Sequence, residues 1–221
     1  MSFLDKLFGS KSKGASEPLP AEQSEMPEMT PDKPRPFGYK TNWICVKCDS
    51  SERVIEALGL KNAARSNWEF GLSQTRDRVF VTPPLDGYVL AVGYDTFGIM
   101  PSVDEELEAL KAVAARFDEV QCYSSHRVSD FYAWAKFVDG QLVRGYGWNG
   151  GDGMVYLNEG ELTPEEENLG FDSFIQRDED DWESVEFPDE ESVVEIAAAW
   201  GIDPLFEDSD YPEAFGYICE K

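Results

Sequence analysis

The alternation of apolar and polar positions is sharpest over residues 131–148, where two apolar-rich runs flank Asp139-Gly140. Asp-Gly between such runs is a strong signal for a two-residue β-hairpin turn. That turn pairs Phe137 with Leu142, Ala135 with Arg144, Ala133 with Tyr146 and Phe131 with Trp148. On the opposite face Trp134 meets Gly145 and Tyr132 meets Gly147, so each large ring sits beside a residue without a side chain. Both faces carry aromatics, so core is expected on one side and core or a ligand on the other.

The same patterns organise the rest of the chain. Residues 42–48, 68–72, 78–82, 88–93, 119–123 and 154–157 read as strands, with Asp86-Gly87 turning into the continuous apolar run Tyr88–Gly93. Helices are expected near 52–59, 101–117 and 189–200: Asp49-Ser-Ser-Glu52 supplies a start signal, Pro101-Ser102 a second and Pro188-Asp-Glu-Glu191 a third. Residues 163–169 read as a capped helical turn, and 211–219 as a terminal strand or tail. Before the domain, Phe3, Leu4, Leu7 and Phe8 cluster at helical spacing in residues 1–9, a short amphipathic segment suited to docking on a partner or a membrane surface. From Gly9 to Pro36 the composition turns to Ser, Pro, Glu and Lys, that of a disordered or extended linker. The expected architecture is α+β, a mainly antiparallel sheet with about three packed helices. It forms a single domain over 37–221, after the segment 1–36.

Charge sharpens this picture. The chain carries a formal −25, and from Asn158 onward 22 Asp and Glu stand against Arg177 and Lys221 alone, a net of −20. Such a field repels nucleic acid and anionic membranes and attracts basic partners. No run of about 18 apolar residues is present to span a membrane, and the N-terminus lacks the apolar core of a secretory signal. Four cysteines are sparse for a disulfide scaffold, which points to a reducing, cytoplasmic setting.

Candidate chemistry is thin. Cys45, Cys48, Cys122 and His126 are the right types for structural zinc, but a strand sends Cys45 and Cys48 to opposite faces, so small core residues are the simpler reading and no metal or other cofactor is expected. His126 is the one histidine, beside Ser124, Ser125 and Asp130, without a nucleophile elbow. Arg144 shares a face with Phe137, Leu142, Tyr146 and Trp148 in the register above, so it needs a carboxylate or a stacked ring, or else binds an anion. His126, Arg127, Arg144, Tyr146 and Trp148 are therefore the candidate ligand-binding set. Asp178, Glu179, Asp180, Asp181, Trp182 and Glu183 form an acidic loop with one aromatic anchor, the candidate partner-binding set.

The segments 79–93, 117–128, 143–144, 160–166, 187–191 and 200–204 are similar to those of a group of uncharacterised bacterial proteins, over roughly residues 40–205. Acidic single-domain members of that group look like immunity partners of bacterial toxins. The resemblance implies a non-enzymatic, cytoplasmic binding protein that neutralises a basic toxin by occlusion. Two other readings stand beside it: a small-ligand binder or enzyme with a pocket around His126 and Arg144, and a scaffold subunit tethered through residues 1–9.

Overall fold

A computed structural model of the chain describes residues 29–94, 103–175, 187–207 and 209–221. Its centre is β1 (Thr41–Lys47), an apolar strand buried on both faces. Trp43 and Cys45 enter one core while Ile44 and Val46 enter the other, because successive side chains of a strand alternate. Around it lie β2 (Lys61–Ser66), β3 (Val79–Val81), β4 (Tyr88–Val92), β5 (Glu119–His126), β6 (Phe131–Val138), β7 (Gln141–Asn149), β8 (Met154–Glu159) and β9 (Gly216–Glu220). They form one antiparallel sheet of nine strands, ordered β2-β9-β3-β4-β1-β5-β6-β7-β8.

Helices cover both faces, in three layers. α1 (Ser51–Ala57) and α3 (Val103–Ala114) bury Val54, Leu107, Leu110 and Ala114 on the face shared by Ile44, Ala133 and Phe137. On the other face α2 (Trp68–Ser73), α4 (Pro164–Asn168), α5 (Asp172–Ile175) and α6 (Glu190–Trp200) pack with the 201–211 segment around Trp43, Tyr123 and Trp134. Six helices are thus present among the described residues where about three were expected. α6 starts where Asp189 and Ser192 form a reciprocal cap, Ser192 N donating to Asp189 Oδ1 at 2.9 Å.

Two local expectations need correction, and one strand was not anticipated. Residues 68–72 are helical rather than a strand. Trp68-Glu-Phe-Gly-Leu72 alternates in polarity, yet Asn67 Oδ1 accepts from Phe70 N at 3.0 Å, and Asp32 accepts from Trp68 N at 2.6 Å and Glu69 N at 3.0 Å. Caps on three first-turn donors hold a helix here against the strand-like pattern. Lys61–Ser66, polar and without β-branched residues, is an edge strand through its pairing with β9. The hairpin forms at Asp139-Gly140, both with positive φ (49° and 74°), but its register shifts beyond Phe137–Leu142. Val143 is an extra residue, so Arg144 faces Lys136, Gly145 faces Ala135, Tyr146 faces Trp134 and Trp148 faces Tyr132.

Candidate functional site

The bulge at Val143 decides what Arg144 does. It moves the guanidinium away from Phe137 and Leu142 onto the face of Trp134, Tyr146 and Trp148. There Nε donates to both carboxylate oxygens of Glu166 at 2.9 Å, and Nη1 donates to Asn158 Oδ1 at 2.9 Å and to the carbonyls of Glu159 at 3.0 Å and Gly145 at 3.1 Å. Glu166 also accepts from Trp134 Nε1 at 2.8 Å and, as the third residue of the α4 capping box, from Thr163 N at 2.8 Å. The two side chains are 1 % and 0 % exposed. Arg144 is the clamp between β7, β8 and α4, closed to an outside ligand.

His126 ends β5, half-buried. Its Nε2 shares a 2.7 Å hydrogen bond with Asn42 Oδ1, Asn42 Nδ2 donates to the Tyr94 carbonyl at 2.7 Å, and the Tyr94 ring meets the imidazole edge-on at 5.1 Å. Arg127 is exposed and pairs with Glu190 of α6 at 3.3 Å. Because Arg144 aligns through Lys136 with Gln121, it stands about 16 Å along the strand direction from His126. Tyr146 and Trp148 are buried between them. Among the described residues the five candidates form a diagonal stripe across β5, β6 and β7, with His126 and Arg144 at its two ends.

A polar string that the pattern reading passed over lies under the end of α6. Tyr123 Oη donates to Gln121 Oε1 at 2.7 Å, Gln121 Nε2 donates to Glu119 Oε1 at 2.6 Å and to the Trp200 carbonyl at 3.1 Å, and Lys136 Nζ approaches Glu119 at 3.6 Å. Burial first, then the Glu119 charge, pushes Tyr88 up to about 12. Beside it, past Gly201, opens a hollow of about 510 Å³ lined by Asp86, Asp203, Phe206 and Tyr211 among others. The alternation of Glu119, Gln121 and Tyr123 in one strand was the readable signal for this string.

Two surface features bear on partners. Carboxylates crowd around α6: Tyr39 is raised by burial and then by Glu191, Glu190, Glu207 and Asp189, and Glu195 by burial and then by Asp189 and Glu191. Separately, four exposed large hydrophobics, Val143, Met154, Val155 and Phe187, lie toward the β8 side, with Phe187 stacked on Trp148 at 4.8 Å, while Tyr39, Tyr94 and Val128 are exposed elsewhere. The expected partner loop of Asp178, Glu179, Asp180, Asp181, Trp182 and Glu183 lies outside the described residues, as do residues 1–9 and the linker up to 28. The four cysteines are free and buried, Cys45 in one core and Cys48, Cys122 and Cys219 in the other. Among the described residues no group of His, Cys, Asp and Glu is arranged to hold a metal, and no helix is long and apolar enough to cross a membrane. Compared with protein-family models, curated proteins and solved structures, the chain matches none.

Proposed function

We propose that this chain is a non-enzymatic, cytoplasmic bacterial binding protein whose acidic surface occludes a basic protein, in the manner of an immunity protein that neutralises a toxin. The observation that carries the reading is the crowding of carboxylates around α6, where Asp189, Glu190, Glu191 and Glu207 surround Tyr39, and Asp189 and Glu191 stand near Glu195, each adding to burial in raising these groups. A field of one sign raises the encounter rate with an oppositely charged partner, and apolar groups beside it supply contact area once the partner arrives. The four reduced thiols agree with a reducing compartment.

The test is affinity capture on the full chain at low ionic strength from the native host, with Glu191, Glu195 and Glu207 all changed to Gln as the control bait. A basic protein held by the native chain and lost by the neutralised one supports the reading. Recovery of no basic protein, or equal recovery by both baits, refutes it. The hollow beside Gly201 favours a second reading, a small cationic ligand held by Asp86, Asp203 and the rings of Phe206 and Tyr211. Asp86→Asn would weaken such a ligand and leave protein capture unchanged.

A further inference from the structure

Among the described residues the sheet ends in two edge strands, β2 and β8, and their chemistry differs. β2 carries Lys61 and Arg65, and its register shifts between Lys61 and Ala64. Cations and irregular register on an edge strand are common guards against further pairing. Among the described residues β8 pairs with β7 alone, and it contains no cation; indeed no Lys or Arg lies between Arg144 and Arg177. Asp152, Glu159 and Glu161 stand along or beside it, exposed, and so do Met154 and Val155. Val155 pairs with Trp148, whose ring is covered by the half-open Phe187, so the edge adjoins an apolar seat. β8 has one irregularity of its own, an extra residue at Tyr156 opposite the Gly147–Trp148 step.

We infer that the β8 edge receives an extended basic segment of the protein partner as a tenth, antiparallel strand, with main-chain hydrogen bonds to β8, cations against Asp152, Glu159 and Glu161, and an apolar side chain on Val155 and Phe187. Strand addition of this kind takes affinity from the main chain and selectivity from alternate side chains. A second copy is the less fitting occupant. A β8–β8 pairing would set the acids of one chain against those of another that also carries −25, and the β2 edge is guarded. This inference rests on the basic-partner reading and assigns its place of contact.

The experiment uses the full chain and a fluorescein-labelled peptide of about eight alternating Lys and Val residues, beside the same peptide N-methylated at alternate positions. The expected result is binding of the unmodified peptide at low ionic strength, new hydrogen-exchange protection confined to residues 154–159, and affinity lower by about tenfold for the N-methylated peptide, which lacks the main-chain donors. Val155→Lys and, as an independent variant, Met154→Lys should weaken the unmodified peptide while leaving the circular dichroism unchanged. Equal affinity for both peptides, or protection falling on α6, overturns strand addition and leaves the acidic-surface reading standing. No binding of either peptide, while capture still recovers a basic protein, overturns the inference alone. Self-association of the chain without peptide, abolished by Val155→Lys, gives the edge to a second copy and also overturns it.

Discussion

Replacing Arg144 by Met tests whether the β7–β8–α4 corner is held by a buried ion pair. The substitution keeps most of the side-chain volume but leaves the Glu166 carboxylate, 0 % exposed, with only Trp134 Nε1 and Thr163 N as donors. Removing one member of a buried pair costs about 3–5 kcal/mol, because the survivor is an uncompensated charge in a poorly solvated site. For a chain of this size, each kcal/mol shifts Tm by about 2–4 °C, so the variant should melt roughly 10 °C lower. The double variant R144M/E166Q removes the stranded charge while the Gln carbonyl still accepts from Thr163 N, and it should regain about 2 kcal/mol. Urea unfolding followed by tryptophan fluorescence and far-UV circular dichroism reads both values. A loss below about 1 kcal/mol for Arg144→Met would be the behaviour of a solvated surface pair and would refute the burial argument. A double variant no better than the single one would place the cost in packing rather than in charge.

Asp32→Ala should cost about 1 kcal/mol, because it uncaps Trp68 N and Glu69 N, and amide exchange at those two residues should accelerate without change in β6 or β7. Gly71→Ala places a Cβ against the Phe80 ring inside the core and should destabilise by about 1–3 kcal/mol in thermal unfolding; an unchanged Tm would mean the helix can slide on the sheet. Tyr88, Tyr132 and Tyr211 are each pushed up to about 12, mainly by burial. Their unfolded counterparts ionise near 10, so this stabilisation is full below pH 10 and declines as pH rises toward 12. Exposed tyrosines such as Tyr39 ionise without unfolding, but the share of tyrosinate absorbance from Tyr88, Tyr132 and Tyr211, read by Tyr→Phe difference spectra, should rise in step with unfolding, and its full appearance in the folded chain would contradict the burial of these rings.

The hairpin turn was legible because Asp139-Gly140 names its own geometry, but the register beyond it was not. The shift at Val143 depends on residues far along the chain. Gly160, at φ 81°, packs against the Val143 carbonyl, and Glu166 draws Arg144 to its face. No local pattern in 131–148 contains that information. The same limit explains α2, whose strand-like alternation is overridden by Asp32, 36 residues upstream of Trp68. It also explains β2, which has no strand propensity apart from its pairing with β9. Both-face burial of β4 and the capping signals of α1, α4 and α6 were readable, because each is local. Of the candidate site, the aromatic stripe was visible as residue types, whereas the distance between His126 and Arg144 along it follows from a register the sequence does not display. The acidic surface was plain from charge alone; its focus around α6 required knowing which carboxylates neighbour Tyr39 and Glu195.

The most direct test of an acidic surface evolved for a basic partner is the association rate with the captured protein, measured by stopped-flow fluorescence across ionic strengths from about 0.02 M to 0.5 M. An electrostatically steered encounter should slow by about tenfold or more over that range, with dissociation changing far less. An association rate independent of salt, or one unaltered when Glu191, Glu195 and Glu207 are replaced by Gln, would contradict it.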